Sequence, residues 1–359
     1  MTRSSWSDTD VTRRLGIAYP IFQGPFGGMS SEKLLLAVCE AGGLGCFGAN
    51  TLSGGQIRDL CDRLRGATDK PFAINLWIPT ADQPLYDAPG FERARARLKP
   101  YYDHLNLPVP ERPERFAEIF EEQFEAVLEA RPAVLSFVFG APPPEMMAEC
   151  RKRGILTIGT ATTPDEAEYL EDAGVDMIVA TGSEAGGHRV SFLTEPEDVL
   201  SGLFTLLPQV VDRVNVPVIA AGGIADGRGL AAALALGASA VQVGTAFLAC
   251  DESAADETYR DILFSPRARE TCLTRVFTGR LARSVRTRLL DELEREPADV
   301  APYPVQNWLT TKIRNEARQV GKEDLRNYWA GRAAPLLQHR SAAVLFDAIV
   351  TGAAEILER

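Results

Sequence analysis

The amino-acid sequence predicts an α/β protein, a (β/α)8 TIM barrel, and three observations carry this prediction. Short apolar runs alternate with amphipathic segments as far as about residue 250. There are eight such runs, and most of their positions are apolar, as in parallel strands that are buried on both faces. No Gly-x-Gly-x-x-Gly segment follows the first run, which disfavours a doubly wound dinucleotide-binding sheet.

The predicted elements follow one another in a strand–helix rhythm. Such a rhythm implies right-handed crossovers and a parallel sheet, which is either closed as a barrel or open and doubly wound. The predicted strands span residues 17–23, 45–49, 72–78, 134–139, 156–160, 177–180, 216–221 and 240–243. The helical patterns between them include residues 32–41, 55–65, 164–173 and 227–236.

Two segments interrupt the rhythm and are predicted to be additions to the barrel. Residues 79–132 are too long for one crossover, and we predict a helical insertion after strand 3 with helices near 91–99 and 114–130. We assign residues 11–264 to the barrel and residues 265–359 to a C-terminal helical extension packed on it. Within the extension we expect a loop with an Arg-rich helix at 267–290, a turn at 301–304 and a terminal helix at 342–357.

Composition limits the classes of partner and compartment. The 359 residues carry a net charge of −11, which argues against nucleic acid or an anionic membrane as the main partner. No apolar run approaches the roughly 18 residues of a membrane span, and the polar N-terminus has no signal-peptide core. The six cysteines show neither CxxC nor zinc spacing, so we predict free buried thiols, no metal site and a cytoplasmic protein. The partner is then a small molecule, and a homodimer is left open.

Glycine turns at the ends of the last two predicted strands indicate a phosphate site. Gly222 and Gly223 end the seventh strand, and Gly244 and Thr245 end the eighth. In (β/α)8 barrels these two loops often bind phosphate, because glycine lets backbone N–H groups approach the oxygens. The alternative is that the glycines only make turns.

The first and third strands end in residues suited to a flat ring system. The first is followed by Gln23-Gly24-Pro25-Phe26-Gly27-Gly28, where glycine and a rigid proline allow backbone to lie against an aromatic ligand. Asn75 lies inside an apolar strand, and a buried amide needs a partner. That partner is either a ligand heteroatom or a backbone group.

The loop after the sixth predicted strand holds the candidate catalytic residue. It reads Gly182-Ser183-Glu184-Ala185-Gly186-Gly187-His188, and His188 is one of three histidines in the chain. Two adjacent glycines let backbone pass close to a ligand, and an imidazole follows them directly. A histidine with an unperturbed pKa of roughly 6.5 suits general-base work near neutral pH. The alternative is a packing histidine without acid–base duty.

Together these residues resemble the FMN-dependent nitronate monooxygenases, formerly called 2-nitropropane dioxygenases. The tail segments 277–283 and Pro302-Tyr303-Pro304 resemble C-terminal motifs of that family. The resemblance implies oxidation of alkyl nitronates, and of nitroalkanes if they are accepted, by O2 to an aldehyde or ketone plus nitrite. It makes His188 the catalytic residue, with the FMN phosphate at the two glycine turns and Asn75 at the polar edge of the ring. The implied FMN site comprises Gln23, Gly24, Pro25, Phe26, Gly27, Asn75, Thr160, Glu184, Ala185, Gly186, Gly187, Gly222, Gly223, Gln242, Gly244 and Thr245.

The sequence departs from the family at two places and leaves two alternatives open. Phe26 stands where the family usually has methionine, and Gly159-Thr160-Ala161 stands where some members have a lysine. The FMN-dependent enoyl-acyl-carrier-protein reductases share the Glu-Ala-Gly-Gly-His loop, although the long insertion and the arginine-rich tail favour the monooxygenase. A non-catalytic flavin-binding protein is the other alternative.

The arginines of the tail have two interpretations. They either attract an anionic substrate at the mouth of the site or form a solvated helix face that pairs with nearby acids. The arginines are Arg275, Arg280, Arg283, Arg286 and Arg288, and the nearby acids are Asp291, Glu292 and Glu294.

Overall fold

A parallel eight-stranded sheet forms the centre of the protein. The computed structural model describes residues 5–80 and 88–358, so the start of the polar N-terminus and part of the predicted insertion lie outside these ranges. The strands are β1 (Ile21–Gln23), β2 (Gly45–Gly48), β3 (Phe72–Trp77), β4 (Val134–Val138), β5 (Leu156–Ala161), β6 (Met177–Thr181), β7 (Gly187–His188), β8 (Val218–Ala221), β9 (Ala240–Val243), β10 (Thr271–Thr274) and β11 (Ala282–Val285). The large sheet has the order β1-β9-β8-β6-β5-β4-β3-β2, with every pair parallel.

Backbone hydrogen bonds between the first two strands bring the sheet to closure. Leu44, just before β2, donates to the Ile21 carbonyl at 3.0 Å, and Gln23 donates to the Leu44 carbonyl at 2.9 Å. Side chains such as Phe22, Ile158 and Ile219 fill the interior. The predicted (β/α)8 barrel is therefore confirmed.

Helices surround the sheet and follow the predicted positions closely. Several begin at side chains that accept hydrogen bonds from the first turn, such as Ser31, Thr163 and Asp226. The helices are α1 (Asp10–Leu15), α2 (Glu32–Glu40), α3 (Gly54–Ala67), α4 (Ala88–His104), α5 (Phe120–Ala130), α6 (Pro144–Lys152), α7 (Pro164–Asp172), α8 (Leu203–Val211), α9 (Gly227–Ala235), α10 (Thr245–Leu248), α11 (Glu257–Phe264), α12 (Arg288–Leu293), α13 (Val305–Gln319) and α14 (Ala342–Leu357).

Two predicted strands are shorter at their N-terminal ends than the sequence suggests. The first begins at Ile21 rather than at residue 17, and the seventh begins at Val218 rather than at residue 216. Proline precedes each start, at Pro20 and Pro217. Because proline has no backbone N–H, it does not donate to the ladder of a central strand.

The Arg-rich helix predicted at 267–290 is wrong. The segment holds a short 3-10 turn, Pro266–Arg269, and then an antiparallel hairpin of β10 and β11. A helix, α12, begins only at Arg288. Strand β11 also pairs with β7, so the hairpin lies directly against the loop that carries His188.

The insertion and the extension pack on each other. Tyr102 of α4 is fully buried and donates from its hydroxyl to the Leu309 carbonyl of α13 at 2.6 Å. Phe91 and Leu98 of α4 join Leu289 and Leu309 in a second hydrophobic cluster. The proposed boundary between barrel and extension after residue 264 stays a prediction.

The last helix returns to the barrel. Helix α14 packs against α9 and α2, the helices that follow the seventh and first barrel strands. It thus occupies the position of an eighth outer helix. The approach to α9 is close: a Cβ added at Gly227 would lie 2.4 Å from the Ala353 backbone nitrogen.

Every cysteine is a free thiol, and burial raises the pKa of Cys46 to about 12, as expected for an unreactive packing residue. None of the helices in the described ranges is long and apolar enough to cross a bilayer.

Candidate active site

A cavity of about 250 Å³ lies at the carboxyl ends of the barrel strands. Its walls come from the loops after β1, β6, β8 and β9 and from the hairpin and α13 of the extension. Fifteen of the sixteen predicted cofactor residues line it: Gly24, Pro25, Phe26, Gly27, Asn75, Thr160, Glu184, Ala185, Gly186, Gly187, Gly222, Gly223, Gln242, Gly244 and Thr245. His188 lines it as well.

Gln23 is the predicted residue that does not line the cavity. Its side chain is fully buried, and its Nε2 donates to the Cys46 carbonyl at 2.9 Å. This bond ties β1 to β2 beneath the first turn. Gln23 therefore supports the turn rather than the cavity wall.

The glycine turns after β8 and β9 leave open space and unused backbone donors. Gly222 and Gly223 have φ angles of +102° and +74°, which favour glycine. A Cβ added at Gly244 would meet no atom within 4 Å, so the backbone there faces free volume. In the described part of the chain, the backbone N–H groups of Gly223 and Thr245 donate to no other group. Unpaired N–H groups at a helix start are suited to an anion such as a phosphate.

Two residues of the Gly-Gly-His loop have structural reasons for their identity. The carboxylate of Glu184 accepts from the backbone N–H of Leu203 at 2.9 Å and so caps α8. A Cβ at Gly186 would lie 2.5 Å from the Gly331 backbone nitrogen. Gly186 is therefore required where the loop touches the extension, and the expected approach to a ligand is not its main reason. Gly187 has a φ of +74°, and a Cβ added there would meet no atom within 4 Å. For Gly187, close approach of the backbone to a ligand stays the prediction.

Buried arginines hold this loop from beneath. Arg283 of β11 donates to the Ser183 carbonyl from Nη2 at 2.9 Å and from Nε at 3.1 Å. Arg189 donates from Nη1 to the Gly182 carbonyl at 2.7 Å. Burial lowers the pKa of Arg189 to about 10. These cations bind carbonyl oxygens and fix the backbone that leads to His188.

Asn75 finds a partner that neither sequence alternative named. Its Nδ2 donates to the Ser136 hydroxyl on the neighbouring strand β4 at 2.9 Å. Asn75 is 2% exposed and still lines the cavity, so its amide is oriented before any ligand arrives.

His188 is held between aromatic rings and a hydroxyl. Its Nε2 lies 2.9 Å from the Thr278 Oγ1, and its ring centroid lies 4.9 Å from that of Trp77 and 5.3 Å from that of Trp329. Burial, followed by the positive charges of Arg280 and Arg314, lowers the pKa of His188 to about 3. The unperturbed value of roughly 6.5 therefore does not apply to His188 in this setting. The imidazole is neutral at neutral pH.

The five tail arginines divide between the two interpretations. Arg275 pairs with Glu197 at 2.7 Å, and Arg286 and Arg288 pair with Asp291 and Glu292, as the solvated interpretation expects. Arg283 belongs to the buried group above.

Arg280 lies beside the cavity instead. Its guanidinium carbon is 3.7 Å from the ring centroid of Phe139 and 4.3 Å from that of Tyr303, and its Nη2 donates to the Thr80 hydroxyl at 3.0 Å. Its charge reaches His188, since it contributes to the lowered pKa of that residue.

Several wall residues were not singled out from sequence. They come from β3, the hairpin, α13 and the segment after it: Trp77, Thr278, Asn307, Arg314 and Trp329. Asn307 and Arg314 are seven residues apart on α13 and so share one helical face. That spacing is a weak signal, because surface helices often carry such pairs.

The fold and the cavity define a class of protein. The cavity lies at the end of the barrel where (β/α)8 enzymes bind their substrates, and its glycine turns are the ones that hold phosphate groups in such enzymes. The protein belongs by architecture to the (β/α)8 barrel enzymes.

Comparison with known proteins narrows this class. The nitronate monooxygenase family model matches residues 9–352. A Staphylococcus saprophyticus protein named "Probable nitronate monooxygenase" is 38% identical over 353 residues, which cover 98% of this chain and 99% of that one. Nitroalkane oxidase from Streptomyces ansochromogenes superposes with a TM-score of 0.88 at 36% identity, over 96% of this chain and 98% of that one. FabK from Thermotoga maritima has a TM-score of 0.76 at 28% identity, over 98% and 97%.

The chain belongs to the nitronate monooxygenase family. It is an enzyme, a flavin-dependent oxidoreductase. The alternative of a non-catalytic flavin-binding protein is set aside.

Proposed function

We propose that the protein uses FMN to oxidise alkyl nitronates with O2, giving an aldehyde or ketone plus nitrite. One observation carries the proposal, which is the combination of two features in a single cavity. The glycine turns have backbone N–H groups that donate to no other group, and a neutral histidine lies within the electrostatic influence of two arginines. The donors suit a phosphate, and the positive charge suits an anionic substrate.

The chain's own groups fit a flavin mononucleotide. Gly222, Gly223, Gly244 and Thr245 would hold the phosphate, since the space over Gly244 is open. The Gly24–Gly27 backbone and Asn75 would hold the ring. When bound, FMN supplies the redox chemistry that takes electrons from the nitronate and passes them to O2.

The nitronate, rather than the neutral nitroalkane, is the form that the cavity favours. A histidine whose pKa is about 3 is a poor acceptor for a proton from a neutral substrate. An anion bound beside His188 offsets the arginine charges and raises the pKa of the imidazole. Protonation of the ring is then easier, and the protonated ring has a second N–H that can donate to a nitronate oxygen. We propose that His188 contacts the substrate in this way, with Thr278 fixing the orientation of its ring.

The decisive experiment compares two reductants without oxygen. The protein is purified with its flavin, which mass spectrometry should identify as FMN, and is mixed anaerobically with ethyl nitronate or with NADH. Nitronate should bleach the flavin absorbance quickly, and NADH should do so slowly or not at all. An enoyl-acyl-carrier-protein reductase takes hydride from a nicotinamide, so rapid bleaching by NADH and reoxidation by an enoyl thioester would reverse the assignment.

A further inference from the structure

A half-buried cation in the cavity wall has no acidic partner among the described residues. Arg314 of α13 lines the cavity, and its side chain donates from Nη1 to the Asn327 Oδ1 at 2.9 Å and from Nη2 to the Asn307 Oδ1 at 2.9 Å and the Thr311 Oγ1 at 2.8 Å. All of these acceptors are neutral. Within the described ranges no carboxylate pairs with Arg314, and its Nε is buried without a partner.

Arg189 and Arg283 also bind neutral oxygens, but of these three arginines Arg314 alone lines the cavity. A charge removed from water is costly unless an opposite charge compensates it, and buried arginines are usually paired. Burial lowers the pKa of Arg314 to about 10, which still leaves it charged at neutral pH. The positive charge is therefore present at the cavity wall, and no carboxylate of the described residues pairs with it.

The neighbouring amide is oriented by the same cation. The Oδ1 of Asn307 accepts from Arg314, so its Nδ2 is turned away from the guanidinium. Asn307 also lines the cavity, and in the described part of the chain its Nδ2 donates to no other group. An oxyanion would find both a positive charge and a free N–H donor at this wall.

We propose that Arg314 and Asn307 form an anion subsite that binds the nitro oxygens of the nitronate and selects it over the neutral nitroalkane. The inference rests on the proposed function for the identity of the substrate, although the anion subsite itself does not. His188 lies within the electrostatic reach of Arg314, as the lowered pKa of that histidine indicates. Arg314 thus places the negative end of the substrate beside the imidazole.

The test uses nitrate, a planar anion whose oxygens are bound to nitrogen, as those of a nitronate are. Calorimetry on the flavin-loaded protein measures its affinity in wild type, Arg314→Met, Asn307→Asp and the control Arg286→Gln. Arg286 is exposed and already paired with Asp291, so its removal should leave nitrate binding unchanged. Arg314→Met should weaken nitrate binding and raise the KM for ethyl nitronate, each about 10- to 100-fold, which is the usual cost of losing a charged hydrogen bond.

Asn307→Asp keeps the size of the side chain and gives Arg314 a counter-ion. It should abolish nitrate binding while the melting temperature stays equal or rises, because the buried charge becomes paired. If Arg314 were purely structural, this variant would fold equally well but would keep its nitrate binding. Intact nitrate affinity in both variants, or no nitrate binding by wild type, would overturn the inference.

Failure of the proposed function looks different. If nitronate does not bleach the flavin of wild type while nitrate binding still depends on Arg314 and Asn307, the anion subsite stands and another anionic substrate must fill it.

Discussion

At the residue scale, the site differs from the sequence prediction mainly in its electrostatics. The sequence singles out His188 because it follows two glycines after a strand, and His188 lines the cavity in the structure. The pKa of His188 cannot be predicted from sequence, because it depends on burial and on Arg280 and Arg314, which lie about 90 and 125 residues away in the chain. Arg314 could not be singled out either: an arginine on an amphipathic helix is ordinarily solvated, and only the folded extension turns this one toward the cavity.

The lowered pKa of His188 predicts a loss of stability in acid. The unfolded chain takes up a proton on this histidine near pH 6.5, while the folded protein resists it until about pH 3. The stability contributed by the neutral imidazole is therefore complete above pH 6.5 and is lost progressively as the pH falls toward 3. Urea unfolding of wild type and His188→Asn between pH 7.5 and 4.5 measures this, and wild type should lose more stability than the variant. Parallel curves for the two proteins would contradict the lowered pKa.

At the scale of elements, the barrel was more predictable than the extension. A barrel strand buried on both faces must be apolar at most positions, and this constraint is visible in each of the eight runs. The hairpin was missed because Arg280, Arg283 and Arg286 are spaced by three residues and imitate one face of a helix. In the structure their environments are unrelated. Arg280 lies over aromatic rings beside the cavity, Arg283 donates to the Ser183 carbonyl, and Arg286 is solvent-exposed and pairs with Asp291.

The turn after β9 gives a direct test of the phosphate position. Gly244→Glu introduces a carboxylate where a Cβ has open space, so the fold should tolerate the side chain, while a phosphate there would meet a like charge. We expect the purified variant to lose its flavin with little change in melting temperature of the flavin-free protein. Gly66→Glu is the matched control, because a Cβ at Gly66 also meets no atom within 4 Å, and Gly66 is exposed on α3 and does not line the cavity. Wild-type flavin content in Gly244→Glu would mean that the phosphate binds elsewhere.

At the scale of the whole molecule, the last helix of the chain completes the ring of helices around the barrel. Between the eighth barrel strand and α14 the chain builds the hairpin and α13, which supply Thr278, Asn307 and Arg314 to the cavity wall. The part of the chain after the eighth barrel strand therefore completes both the outer ring of helices, through α14, and the active-site cavity, through the hairpin and α13. Sequence predicted the terminal helix at its observed bounds, 342–357, but not its neighbours, because apolar periodicity shows which face is buried and not what buries it.

The position of α14 in this ring depends on a close helix contact that leaves no room for a side chain at Gly227. A Cβ there would lie 2.4 Å from the Ala353 nitrogen and 2.5 Å from the Gly352 carbonyl carbon, so α9 and α14 would have to separate. We expect Gly227→Ala to lower the free energy of unfolding by about 1–3 kcal/mol, as overpacking of a close contact does. Gly66→Ala in α3 has open space and should instead raise it by about 1 kcal/mol, the usual gain from replacing glycine inside a helix. Urea unfolding measures both. If Gly227→Ala is as stable as Gly66→Ala, then this contact does not hold α14 against the barrel. If it is less stable and also releases flavin more readily, then the last helix and the cavity depend on each other.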